Sequence, residues 1–166
     1  KKMAVIISND KNIYIPKTSN FKPSVNLTKS EKVGECSWPS WSPNGKKIIF
    51  IFKVGYQAKI NFLQGQKGVW TINADGKNCR PLTAVALSEE EIAMERSGRR
   101  TVTFFDTDSC PSWSPDGNKI VFLRNRNRPN SGIHNELHEV WIMDSDGSNQ
   151  TQLTNKDNLV VTTARE

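Results

Sequence analysis

Short apolar runs punctuate an otherwise polar chain: Ile48-Ile49-Phe50-Ile51-Phe52, Val69-Trp70-Thr71-Ile72, Ile120-Val121-Phe122 and Val140-Trp141-Ile142-Met143. Each is rich in β-branched and aromatic residues and is bounded by Ser, Pro, Asn, Asp or Gly, so each predicts a strand. The tetrads Ser42-Pro43-Asn44-Gly45 and Ser114-Pro115-Asp116-Gly117 stand between an aromatic-bearing strand and the apolar strand after it. Proline presets φ there and glycine accepts φ > 0, which is turn chemistry. Asp75-Gly76 and Asp146-Gly147 signal further hairpins, just ahead of a final strand that ends in Leu82-Thr83 or Leu153-Thr154.

These parts repeat in one order. Pro39-Ser40-Trp41-Ser42-Pro43-Asn44-Gly45-Lys46-Lys47-Ile48-Ile49-Phe50 matches Pro111-Ser112-Trp113-Ser114-Pro115-Asp116-Gly117-Asn118-Lys119-Ile120-Val121-Phe122 with three conservative changes, which excludes chance. The spacing repeats as well, since Gly45 to Trp70 is 25 residues and Gly117 to Trp141 is 24. A partial copy opens the chain, with an apolar strand in Met3 to Ser8, Ile13-Tyr14-Ile15 where the Val-Trp pairs stand, and Asn26-Leu27-Thr28 at its end. Leu27 to Leu82 is 55 residues and Leu82 to Leu153 is 71, so the loops are elastic. Each unit reads as four short antiparallel strands.

The repeated residues resemble the TolB-type, WD-like β-propeller repeat, whose blades carry a P-x-W-S-P-D-G tract, an apolar strand, a Tyr- or Trp-bearing strand followed by D-x-D-G, and a closing L-T. The resemblance implies an all-β fold of TolB-like blades. Residues 1–166 are expected to form a single domain: a partial blade at 3–28, a blade at about 36–83, a helix-containing insert at 84–108, a blade at about 109–154 and a tail at 155–166. Propellers of this type usually close with about six blades of roughly 40 to 45 residues, so three blades predict an incomplete ring whose edges something covers. More of the same polypeptide, a second copy completing the ring as a homo-oligomer, or another protein would serve. The resemblance also implies a periplasmic or otherwise extracytoplasmic, cell-envelope location.

Two departures from the family pattern bear on function. The hairpins at Lys53 to Gly68 and Arg124 to Glu139 are long in both full blades and should project from one side, as a contact surface or as tolerated insertions. The segment from Thr83 to Pro111 holds Ser88-Glu89-Glu90-Glu91, a capping box with Leu87 placed to staple onto Ile92, and predicts a helix from Glu89 to about Ser97. Thr101-Val102-Thr103-Phe104-Phe105 after it is β-prone.

Composition narrows the function. The chain has 166 residues and a net charge of +6, enough for one ordinary domain. Its basic residues are scattered. Arg124, Arg126 and Arg128 alternate on one face of an extended segment, and no RNP-like, zinc-finger or basic-helix motif accompanies them, which argues against nucleic acid. No apolar stretch is long enough for a membrane helix. Cys36, Cys79 and Cys110 lack metal-site spacing and leave room for one disulfide and one thiol.

No catalytic, cofactor or metal motif emerges. His134 and His138 lack the Glu of a metalloprotease helix, because Asn135 holds that place. Asp144-Ser145-Asp146-Gly147 puts its glycine too early for a calcium loop and reads as a turn. Asp106 and Asp108 read as loop acids, and Trp41, Trp70, Trp113 and Trp141 as core residues at equivalent blade positions. The expected function is therefore a noncatalytic, protein-binding scaffold or structural subunit, no enzyme and without cofactor. Its partner would be met by Tyr56, Phe62, Glu90, Glu91, Arg124, Arg126 and Arg128, chosen for loop position and side-chain type. The alternative is a fragment or half-ring of a larger ligand-binding or enzyme-associated propeller.

Overall fold

The computed structural model describes residues 5–6, 11–16, 23–28, 34–54, 67–83, 97, 106–125 and 138–154. They form three antiparallel sheets in chain order. The first is β1 (Val5–Ile6), β2 (Ile13–Pro16) and β3 (Pro23–Asn26). The second is β4 (Gly34–Trp41), β5 (Lys47–Val54), β6 (Lys67–Asn73) and β7 (Arg80–Pro81). The third is β8 (Thr107–Trp113), β9 (Lys119–Asn125), β10 (His138–Asp144) and β11 (Thr151–Gln152). These are TolB-like propeller blades, two of four strands and one of three.

The repeated residues make the same bonds in each copy. In the β4–β5 turn the Ser42 hydroxyl accepts from the Lys47 amide at 2.9 Å, and Asn44 Oδ1 accepts from the Lys46 amide at 3.0 Å. Ser114 and Asp116 do the same for Lys119 and Asn118 between β8 and β9, at 2.9 and 3.0 Å. Gly45 and Gly117 take φ of +67° and +74°, a region open to glycine at little cost. The closing Leu-Thr pair has a bonding role in all three blades. The amides of Ile13, Val69 and Val140 donate to the hydroxyls of Thr28, Thr83 and Thr154 at 3.0, 2.8 and 2.9 Å. The carbonyls of Ile13, Val69 and Val140 accept the amides of Leu27, Leu82 and Leu153 at 2.8 Å each.

Alternation in the strands gives every blade two apolar faces, and the blades stack through them. The tryptophan-bearing face of the second blade (Cys36, Ile48, Phe50, Phe52, Trp70 and Ile72) packs on Ile13 and Leu27 of the first. Ile120, Phe122 and Met143 of the third blade, with Trp113 and Trp141, pack on Ile49, Ile51, Val69 and Leu82 from the opposite face of the second. Trp41 and Trp70 lie in or against the first cluster, so all four repeat tryptophans pack as core residues.

Several expectations change. The strands run further into the long hairpins than expected, since Lys53 pairs with Lys67, Arg124 with Glu139 and Asn125 with His138. Arg124 is thus a strand residue, and the hairpin tips at 55–66 and 126–137 lie outside the described residues. β4 and β8 begin at Gly34 and Thr107, earlier than the repeat alone indicated. The helix expected at Glu89 to Ser97, the β-prone segment 101–105 and the tail 155–166 fall on residues outside the description, apart from Ser97 in a turn. Cys36, Cys79 and Cys110 stand as thiols, which decides between the states their number left open: no disulfide joins them.

Candidate interaction surface

The second and third blades differ most where their strands enter the long hairpins. Register aligns Cys36 with Asp108, Phe52 with Arg124, Gly68 with Glu139 and Trp70 with Trp141. In the second blade these positions are apolar, with the Phe52 and Trp70 rings 5.0 Å apart. In the third, a charged set replaces them. Arg124 donates from Nε and Nη2 to the two Asp108 carboxylate oxygens at 2.8 and 3.1 Å. Its guanidinium lies 5.1 Å from the Phe122 ring centre and 4.9 Å from that of Trp141, whose Nε1 donates to Glu139 at 3.0 Å. Asp108 and Glu139 are both buried. A bidentate, ring-stacked guanidinium has little freedom left, which makes Arg124 a structural link between β8, β9 and β10. Asp108, expected as a loop acid, is the buried half of that link.

Of the other expected contact residues, Tyr56, Phe62, Glu90, Glu91, Arg126 and Arg128 lie outside the described residues. His138 is exposed at the start of the strand β10, and His134 lies outside the description. Asp144 to Asn149 forms a turn. The Asp144 amide donates to the Ser148 carbonyl at 2.9 Å, and Asp146 Oδ1 accepts from the Ser148 amide at 2.9 Å. Among the described residues no group of three His, Cys, Asp or Glu side chains could hold a metal ion, and no helix is long and apolar enough to cross a membrane.

Of the three exposed large apolar side chains among the described residues, which include Val25 at 41%, two are more than half exposed and were not anticipated. Trp38 is 58% exposed and sits at φ +53°. It occupies a bulge in β4, where Trp38 and Pro39 together face Phe50, and Cys110 occupies the matching bulge in β8 at φ +49°. The bulge is therefore part of the blade, and a cysteine satisfies it as well as a tryptophan does. What Trp38 adds is exposed aromatic surface. A signal was present in the sequence, because Trp38 stands opposite Cys110 when the repeats are aligned. The second feature is Leu153, 55% exposed, whereas its counterparts Leu27 and Leu82 are 4% and 8% exposed.

Fold and surface together define a stack of TolB-like β-propeller blades that exposes Trp38 on the edge strand β4 and Leu153 after β11. No protein-family model and no curated protein matches the chain. Among solved structures it is similar to the putative TolB from Agrobacterium tumefaciens, with a TM-score of 0.54 and 21% identity over 92% of this chain and 44% of that one. It is also similar to TolB from Acinetobacter baumannii, with a TM-score of 0.53 and 16% identity over 93% of this chain and 30% of that one. The chain thus spans less than half the length of either, and what it shares with them is the fold.

Proposed function

We propose that this chain is a noncatalytic, protein-binding scaffold of the cell envelope, built from TolB-like blades and docking a partner protein through blade edges and extended loops. Trp38 carries the reading. A tryptophan that the bulge does not need, more than half exposed on a backbone fixed by the sheet, is the kind of rigid aromatic anchor that dominates protein interfaces. The polar side chains of the repeats, in contrast, are engaged in turns, in strand closure and in the Arg124–Asp108 pair. Tyr56, Phe62, Glu90, Glu91, Arg126 and Arg128 are proposed as further partner contacts on the grounds of side-chain type and position in the sequence. The location follows the resemblance of the repeats.

The test is affinity purification from an extract of the source cells with immobilised full-length chain and its Trp38→Cys variant. A defined protein retained by the parent and lost with the variant, at unchanged circular dichroism, supports the scaffold. Equal retention by both chains contradicts it. The reading as part of a larger propeller draws on a different observation, the exposed Leu153 of the third blade.

A further inference from the structure

The two Ser-Pro-x-Gly turns differ in one residue. Ser42-Pro43-Asn44-Gly45 carries an asparagine where Ser114-Pro115-Asp116-Gly117 carries an aspartate, and Asn44-Gly45 is the one Asn-Gly pair in the chain. An asparagine side chain and the backbone nitrogen after it can close a succinimide ring, and glycine, without a Cβ, hinders that nitrogen least. Groups already joined in one chain react without the entropy cost of an encounter.

Around Asn44 the turn assembles the parts of that reaction. The residue is exposed to water, and its Oδ1 accepts from the Ser42 hydroxyl at 2.8 Å and the Lys46 amide at 3.0 Å. Donors on a carbonyl oxygen stabilise the negative charge that develops there when a nucleophile adds to its carbon. Among the described residues Nδ2 makes no hydrogen bond, so the leaving group is open to solvent. A Cβ added at Gly45 would meet nothing within 4 Å, which leaves the peptide room to turn. One bond resists: the Gly45 amide donates to the Ser42 carbonyl at 2.8 Å and must be released before its nitrogen can attack. The product, in turn, already has a counterpart in the third blade. Asp116 Oδ1 accepts from the Ser114 hydroxyl and the Asn118 amide just as Asn44 Oδ1 accepts from Ser42 and Lys46, and Asp116 Oδ2 accepts from Asn118 Nδ2 at 2.9 Å. These bonds, the Ser114 hydroxyl first, hold Asp116 below the ordinary carboxylate value, so this turn favours the charged form. In the second blade Lys46 stands at the position of Asn118 and brings a cation there.

We infer that Asn44 is a site of spontaneous deamidation in the folded chain, which converts the turn of the second blade into the form that the third blade carries. The Gly45 nitrogen adds to Asn44 Cγ, the Cγ–Nδ2 bond breaks, and Nδ2 departs as ammonia with the proton of the Gly45 amide. One water then opens the succinimide. Hydrolysis at the side-chain carbonyl leaves aspartate on an ordinary backbone, and hydrolysis at the main-chain carbonyl leaves an isoaspartyl link that runs through Cβ. Nothing is oxidised or reduced, and the net charge of the chain falls by one. The turn separates the two products. Aspartate keeps both acceptor bonds of Oδ1, whereas the isoaspartyl link lengthens the backbone between Ser42 and Lys47, whose mutual bonds at 2.9 Å close the turn. The site is independent of the scaffold reading and of Trp38.

The experiment is timed incubation of the full chain at mildly alkaline pH, native and in guanidinium chloride, followed by ion-exchange chromatography and peptide mass spectrometry, with isoaspartyl methyltransferase labelling to tell the two acids apart. Position 44 should convert before any other asparagine. In the native chain it should convert about tenfold more slowly than in the unfolded one, the weight of the single hydrogen bond that must open. Gly45→Ala should slow the reaction severalfold in both states. The Asn44→Asp variant should match the aspartyl product in chromatography and unfold at no lower urea concentration than the parent, while the isoaspartyl fraction unfolds earlier. Three outcomes overturn the inference: Asn44 intact in the native chain after an incubation that converts it fully in the unfolded one, another asparagine converting first, or an Asn44→Asp variant that unfolds well before the parent. The last would show that the turn of the second blade does not accept the carboxylate.

Discussion

Truncating the closing leucine of the second and third blades should have unequal costs, although the two leucines make the same backbone bonds. Leu→Ala removes three carbons, worth about 0.8 kcal/mol each when fully buried, or about 2.4 kcal/mol in all. Leu82 is 8% exposed and packs between blades, so Leu82→Ala should cost nearly the whole amount, with a cavity contribution raising it to about 2–4 kcal/mol. Leu153 is 55% exposed and has nothing described against its outer side, so Leu153→Ala should cost about 1 kcal/mol or less. Urea unfolding of the parent and both variants, followed by tryptophan fluorescence and far-ultraviolet circular dichroism, measures the difference without an absolute reference. Equal losses at the two sites would refute the claim that one face is covered and the other open.

Trp38→Cys, which copies the residue at the matching bulge, should cost about 1–2 kcal/mol, because 58% of the residue is exposed and only the covered remainder is lost; a loss of about 3–5 kcal/mol, the cost of truncating a core aromatic, would show that the ring is structural. Thr71 is buried and its hydroxyl has no hydrogen-bond partner, so Thr71→Val should stabilise by about 1 kcal/mol in the same urea assay, and destabilisation would contradict the packing described. Gly45→Ala meets only the backbone cost of its φ of +67°, whereas Gly147→Ala adds a Cβ 3.0 Å from the Leu82 carbonyl oxygen. The second should therefore be the more destabilising in thermal melts, and the reverse order would count against the junction geometry. Acid should loosen the turns. Asp116 is held below the ordinary carboxylate value chiefly by the Ser114 hydroxyl, Asp146 by Ser148, Asp144 by Lys119 and then Asn149, and Glu35 by Lys11. With these pKa values lower in the folded chain, the unfolded chain binds more protons, so this stability is fully present above a pH of about 5, beyond the unfolded values, and is lost as pH falls through the folded values. A melting temperature that rises on acidification below that point would contradict the assignment.

The turns and the order of strands were legible in the sequence because their chemistry is local. Ser42 and Asn44 act on residues within five positions, and so do Ser114 and Asp116. The Arg124–Asp108 pair was hidden because its members meet only once the β8–β9 register and its bulge are set, and the equivalent pair in the second blade is Phe52 and Cys36. Trp38 lay next to a recognised motif, but its exposure depends on a bulge that the repeat does not announce. Leu153 is the clearest case. Leu27-Thr28, Leu82-Thr83 and Leu153-Thr154 are the same dipeptide, and only the stacking order separates the buried copies from the exposed one.

The central claim is that, among the described residues, the blades stack so that Leu27 and Leu82 are covered while Leu153 and Trp38 are exposed, and side-chain footprinting of the isolated native chain reads it directly. The account predicts that Leu153 and Trp38 oxidise readily while Leu27, Leu82 and Trp70 stay protected. A Leu153 as protected as Leu82 would mean that the face is already covered, and the account would fail.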